Sequence, residues 1–268
     1  MKFTKIQLRG LNVVDLPLTN VSPFDPYILK DAQGLGPPDI NLFLERTMDL
    51  DGYYKGRQTR YREPTLTIGL NPNYIENRTV SDLRQALYGL LSPTFSDKIE
   101  LGIFDESTER MVTQGYIKNM EGPFFTESPE IKLTLLCETP YFEAPSIMHV
   151  ETPAGLTLSF NNEGNAETGL FFEIRFTDAV SMFSIVDTRG NSMVLNNDFK
   201  NQDLLLIGTN PGNRFITVTD IFETRTIIHA LSMDSKWVLL YGGPNTLTFN
   251  TNKFVWNDLY YKPKYWGI

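Results

Sequence analysis

The stretch LFFEIRFTDAVSMFSIVDTRGNSMVLN, residues 170–196, contains three apolar-alternating runs, LFFEIRF, FSIVD and SMVLN. The last two are joined by Thr188-Arg189-Gly190-Asn191, a turn composition. A period of two sends one face of each run into a core and the other into water, as in a half-buried strand. The pattern continues on both sides. LTLSFNN lies upstream, and LLLIG, FITVTD, WVLLYG, TLTFN and FVWNDLYY lie downstream. Turn signals separate them: Asn161-Asn162-Glu163-Gly164-Asn165, Asn210-Pro211-Gly212-Asn213 and Gly242-Gly243-Pro244-Asn245. Short strands at near-regular spacing, with no helices between, predict a β-sandwich or jelly roll over 146–268. His229, in the apolar run RTIIHAL, is read as a satisfied strand residue.

The first half differs. KFTKIQLRG, INLFLER, PTLTIGLN, KIELGIFD and PEIKLTLLCETPYF read as strands. Pro17, Pro23, Pro26, Pro37 and Pro38, with Gly34 and Gly36, exclude a continuous helix or central strand from about 15 to 39. One helix is expected in RTVSDLRQALYGLL. Thr79 stands as N-cap, Asp82 favours the positive end, and Val80, Leu83, Leu87, Leu90 and Leu91 recur at helical spacing before Pro93. The expected architecture is an α+β domain over 1–145, a sheet with one main helix, then the all-β domain over 146–268. EAPSIM is the linker.

Composition narrows function. A chain of 268 residues with 41% apolar residues has room for two cored domains. Its net charge of -8, shared between both halves, is wrong for a general nucleic-acid binder, which must neutralise phosphates. No segment resembles a secretory h-region, and none approaches the roughly 20 apolar residues that span a bilayer. A soluble protein made in the cytoplasm is expected, with no membrane partner. Cys137 alternates with Leu133 and Leu135 and reads as a buried structural thiol. His149 and His229 are the only histidines and stand far apart, so no His-rich metal site is expected. The glycines of GLGPPD run into two prolines, which supply no phosphate-cradling N–H groups. Among the carboxylates Asp187, Asp198, Asp203 and Asp234, nothing marks a glycosidase pair over solvated turn residues. Catalytic residues, metals and cofactors are therefore not expected.

The segment DGYYKGRQTRYREP, residues 51–64, interleaves Lys55, Arg57, Arg60 and Arg62 with Tyr53, Tyr54 and Tyr61. Three readings stand. Tyrosines and cations suit single-stranded nucleic acid. Alternation beyond a turn at Gly52–Gly56 suits a sheet face covered by arginine stems. Tyr and Arg together suit a protein–protein interface.

The order of features resembles the distal tail protein (Dit) family of long-tailed bacteriophages. It runs from an N-terminal strand to GLGPPDI, GYYKGRQTRYREPTLTIGL, the helix TVSDLRQALYGLL and LTLLCETPYFEAP. SFNNEGNAETGLFFEIRF, IVDTRGNSMVLN, LSMDSKWVLLYGGPNTLTFN and YYKPKYWGI complete it. The resemblance implies a structural protein of the virion at the distal end of the tail: a homohexameric ring that joins the tail tube protein to a tail-tip or baseplate hub protein. It also implies a galectin-like second domain that docks receptor-binding or side-fibre proteins, and DNA as a partner only in passage. Tyr53, Tyr54, Arg57, Arg60 and Tyr61 are then assigned to subunit or tube contacts, with the 15–39 loop reaching a neighbour. Trp266 is the candidate exposed aromatic of the second domain, whereas Trp237 and Trp256 sit in apolar runs and read as core. The alternatives are a carbohydrate-binding β-sandwich protein, a glycoside-cleaving tail-tip enzyme, or another ring-forming baseplate component.

Overall fold

The computed structural model describes residues 3–10, 12–19, 21–47, 50–59, 61–73, 78–91, 98–122, 129–151 and 155–268, with the backbone alone for 40–47 and 50–59. The described chain is mostly β, with one α-helix. It divides into two compact units, Met1–Pro145 with Tyr265–Ile268, and Ser146–Lys264.

The first unit contains β1 (Lys5–Arg9), β2 (Val13–Pro17), β3 (Tyr27–Gln33), β4 (Ile40–Thr47), β5 (Leu50–Thr59), β6 (Thr65–Leu70), α1 (Val80–Leu90), β7 (Ile99–Asp105), β8 (Thr108–Glu121), β9 (Glu130–Cys137) and β10 (Phe142–Glu143). Its main sheet runs β2-β1-β7-β8-β9-β6-β3, antiparallel at each step. The outer strands β2 and β3 approach each other, so the sheet curls around its core. Ile131, Leu133, Leu135 and Cys137 of β9 point inward, as their alternation predicts.

Helix α1 forms where the leucine spacing places it. The Thr79 hydroxyl accepts from the Asp82 N–H (3.2 Å) and the Asp82 carboxylate accepts from the Thr79 N–H (3.0 Å), a reciprocal capping box. Leu83, Leu87 and Leu91 join Leu66, Ile68 and Leu70 in one core. The Tyr27 hydroxyl donates to the Leu83 carbonyl (3.1 Å), tying helix to sheet.

The exclusion of a helix and of a central strand from 15–39 holds, whereas the reading of that span as a loop and the turn at Gly52–Gly56 need correction. The proline-rich span 15–39 holds β3 and the end of β2. Both lie at the outside of the sheet, where a proline's missing N–H costs few ladder bonds. Gly52 and Gly56 do not flank a turn, because both lie within β5, which pairs along its length with β4.

The second unit contains β11 (Met148–His149), β12 (Thr157–Asn162), β13 (Leu170–Phe176), β14 (Val180–Val186), β15 (Ser192–Phe199), β16 (Leu204–Gly208), β17 (Phe215–Thr219), β18 (Thr224–Thr226), β19 (Gly243–Phe249) and β20 (Phe254–Tyr261). One sheet runs β11-β20-β13-β16-β17-β18 and the other β12-β19-β14-β15. Both contribute to a single core, including Phe172, Ile174 and Ile207 from the first and Phe183, Leu195 and Phe249 from the second. This is a β-sandwich. Its centre is aromatic: Phe176 stacks on Phe199 at 4.5 Å and meets Phe183 edge-on at 5.7 Å.

The Thr188–Asn191 turn is built around Asp187. Its carboxylate accepts from the N–H groups of Arg189 (2.9 Å) and Asn191 (3.0 Å), and Gly190 takes the left-handed conformation (φ 78°) that closes the turn. WVLLYG, expected to be a strand, is not one. Side chains take two of its N–H groups, Leu239 donating to the Asp187 carboxylate (3.4 Å) and Tyr241 to Asn245 Oδ1 (2.9 Å), and only Leu240 makes an isolated bridge, to Thr168. Val238 and Leu240 are nevertheless fully buried. His229 is likewise not a strand residue; it is exposed on a 3₁₀ turn, Ile228–Ala230.

Candidate assembly interface

Strands β4 and β5 form a long hairpin in register from Ile40↔Thr59 to Thr47↔Leu50, with two irregularities along it. Among the described residues this hairpin pairs with no other strand. Tyr53, Tyr54 and Arg57 lie on β5 opposite Glu45, Leu44 and Leu42. Their side chains, and all of Arg60, lie outside the described residues. Tyr61 follows the hairpin and is 59% exposed.

Arg62 breaks the expected basic stripe. It is 2% exposed and does not cover a sheet face. Its guanidinium makes five hydrogen bonds to four backbone carbonyls, with no carboxylate among them. Nη1 reaches the carbonyls of Gly34 (3.0 Å) and Gly36 (2.7 Å). Nε and Nη2 both reach Pro140 (3.1 and 2.8 Å), and Nη2 also donates to the Trp266 carbonyl. The group lies over the Phe142 ring at 4.2 Å. Burial lowers its pKa to about 10, so it stays protonated at neutral pH. The neighbouring strand backbone is fixed by the bond from the Cys137 N–H to the Arg62 carbonyl (2.9 Å). Cys137 itself is free and fully buried, with its thiol pKa pushed up by burial.

Beside this clamp lies an apolar cavity of about 270 Å³, lined among others by Phe3, Leu18, Leu29, Leu35 and Ile268. Exposed apolar side chains also occur along the 13–24 segment: Val13, Leu18, Val21 and Phe24. On the second unit, the turn between β17 and β18 exposes Ile221 and Phe222. The Asp220 carboxylate accepts from the N–H groups of Phe222 (2.8 Å) and Glu223 (3.0 Å), which fixes that turn and depresses the Asp220 pKa.

The remaining sequence candidates fall elsewhere. Trp266 belongs to the first unit, not the second, and is half-buried with its ring edge-on to Tyr141 at 4.9 Å. Trp237 and Trp256 are half-buried against the sandwich core, as their runs predict. Asp187 and Asp203 are buried turn organisers rather than solvated residues; Asp203 accepts from the Lys200 N–H at 2.8 Å. Asp198 and Asp234 are exposed. His149 pairs with Asp258 at 2.9 Å on the surface. Among the described residues, no three His, Cys, Asp or Glu side chains group to hold a metal, and no helix is long and apolar enough to cross a membrane.

The Arg62 clamp and the Ile221–Phe222 turn were not identified from sequence. For Arg62 no local signal was available, since Gly34, Gly36, Pro140 and Trp266 all lie far from it in sequence. For the turn it was the Asp-x-x-Glu that brackets two apolar residues.

Comparison with known proteins agrees with this architecture. Residues 163–265 match the family model described as Siphovirus-type tail component, C-terminal domain. Among solved structures, SPP1 Dit, described as a paradigm of hub adsorption apparatus in phages infecting Gram-positive hosts, is similar with a TM-score of 0.61 and 15% identity. That match covers 98% of this chain and 99% of the other. A chain of the phage P2 baseplate in its activated conformation with Ca gives a TM-score of 0.43 at 9% identity, covering 99% of this chain and 98% of that one. No curated protein sequence matches the chain. Over residues 163–265 the chain is thus similar to the siphovirus-type tail component C-terminal domain, on a polypeptide whose fold resembles that of SPP1 Dit.

Proposed function

We propose that this chain is a structural, non-enzymatic hub component at the distal end of a long phage tail. The observation that carries this reading is the tail-component domain over residues 163–265. Residues 1–145 are its α+β ring-forming domain, and residues 146–268 its galectin-like docking domain, with residues 265–268 packed back on the first. The ring is a homohexamer between the tail tube protein on one side and a tail-tip or baseplate hub protein on the other. Receptor-binding or side-fibre proteins dock on the second domain, and DNA passes through the centre. An acidic chain suits that passage, since like charge keeps DNA from adhering.

The β4–β5 hairpin supports the ring. An isolated two-stranded hairpin is marginal in water and gains stability from a third strand or a packed surface. Among the described residues the chain supplies no third strand, so a neighbouring copy is the fitting partner. A heterologous contact of this kind closes into a ring when its rotation allows. Tyr53, Tyr54, Arg57, Arg60 and Tyr61 are then the contact residues, in keeping with the Tyr and Arg enrichment of interface centres.

The carbohydrate-binding alternative finds no aromatic platform in Trp237 or Trp256, both packed against the core. The glycosidase alternative finds Asp187 occupied by backbone N–H groups.

Negative-stain images of the purified protein test the proposal. Rings with a central opening are expected, and both Arg57→Ala and Arg60→Ala are expected to disrupt them. Intact rings in both variants would remove those arginines from the interface; monomeric particles throughout would count against the ring.

A further inference from the structure

We propose that residues 265–268 act as a strap, and Arg62 as its clasp, that together set the direction of the β4–β5 arm. This inference rests on the reading of that hairpin as an assembly arm.

The hairpin has two feet. One is the Gly34–Asp39 loop leading into Ile40; the other is Tyr61–Glu63, on the far side of β5. The Arg62 side chain joins them, since it stands on the second foot and donates to the Gly34 and Gly36 carbonyls of the first. The feet are also in close contact. Gly34 has φ 71°, and a Cβ there would lie 2.5 Å from the Glu63 carbonyl oxygen.

The strap crosses the same point. After the second unit the chain returns to the first unit at Tyr265. The Trp266 carbonyl accepts from Arg62, the Ile268 N–H donates to the Leu35 carbonyl (3.2 Å), and Ile268 lines the apolar cavity with Leu35. At Gly267 the two backbones touch: a Cβ would lie 2.6 Å from the Gly36 carbonyl carbon and 2.8 Å from the Pro37 nitrogen. Two residues of the strap therefore hold the first foot, Gly267 through a close backbone contact and Ile268 through a hydrogen bond, while Trp266 holds the clasp on the second.

Backbone gathered on a buried guanidinium fixes a hinge, because each opening leaves Arg62 without acceptors. An arm anchored at only one foot would sample many directions. Anchored at both, it is pre-organised for its partner, which lowers the entropy lost on association. The strap lies on the foot and not on the arm, so it is a positioning element for assembly.

Hydrogen exchange of the full chain, followed by mass spectrometry, tests this without reading ring formation. Two variants are compared with the parent: one stopped after Lys264, and Gly267→Ala, which wedges strap from foot but removes no hydrogen-bonding group. Both are expected to speed exchange in residues 34–47 and 50–59 by about tenfold or more, with β7, β8 and β9 unchanged. The peptide Tyr-Trp-Gly-Ile added in trans to the stopped variant is expected to restore part of the protection. Unchanged exchange at the hairpin in both variants would overturn the proposal, as would an equal acceleration across β7–β9, which marks general loss of packing. A chain that never forms rings would refute the assembly reading while leaving this result interpretable.

Discussion

The sandwich of the second unit and the hairpin of the first are both antiparallel β, yet they meet their needs differently. In the sandwich, Phe176, Phe183, Phe199 and Phe249 pack against one another, and each sheet covers the other's apolar face. In the hairpin, β4 and β5 have only each other among the described residues. The difference separates a module whose two sheets cover each other from an element for which a partner in another molecule is proposed. It also locates function, because the incomplete element is the one that asks for a partner.

The contrast can be broken by experiment. The largest effect is expected from replacing residues 40–59 by a short Gly/Ser linker: assembly is lost altogether, while the second unit's melting transition is unchanged in calorimetry. Phe183→Ala should do the reverse. It opens the sandwich core and lowers the second unit's stability by about 3–5 kcal/mol in denaturant titration, with assembly retained below that transition.

Arg62→Met sharpens the comparison, since it leaves the carbonyls of Gly34, Gly36, Pro140 and Trp266 without their donor. Removing one side of such a buried polar cluster costs about 3 kcal/mol, measurable as a lower midpoint for the first unit alone. The clamp should not titrate in ordinary buffers. With its folded pKa lowered to about 10, Arg62 carries the same charge folded and unfolded below that value, so the clamp contributes no pH dependence between pH 5 and 8. Thr79→Ala removes one half of the capping box of α1 and is expected to cost about 1 kcal/mol.

The smallest effect belongs to the Ile221–Phe222 turn. Backbone N–H groups hold the Asp220 pKa below its ordinary value, so its stabilisation is present above about pH 4 and is lost as pH falls through the folded pKa. Amide exchange at Phe222 and Glu223 should accelerate in acid before any global unfolding.

Legibility in the sequence follows the same division. Alternation in LFFEIRF, FSIVD and SMVLN announced strands because a half-buried strand shows its period of two within its own residues, and the structure places them as β13, β14 and β15. Thr79, Asp82 and the leucine spacing announced α1 because capping and amphipathicity are local. WVLLYG misled because burial and alternation resemble a strand even when side chains such as Asp187 and Asn245 satisfy the backbone. Gly52 and Gly56 misled because glycine in a strand can mark irregular pairing as readily as a turn. Arg62 was least legible of all. A buried arginine held by five carbonyl contacts depends on Gly34, Pro140 and Trp266, which are far apart in sequence, and no local pattern brings them together. The tyrosines and arginines of 51–61 pointed to an interface through their composition alone.

The central claim is that the hairpin is completed by another copy of the same chain. Light scattering across a concentration series, with the full chain and with the 40–59 linker variant side by side, tests it most directly. The account predicts a closed particle near six times the chain mass for the full chain and a monomer for the variant. A full chain that is monomeric at every concentration, or a variant that assembles as well as its parent, would contradict it.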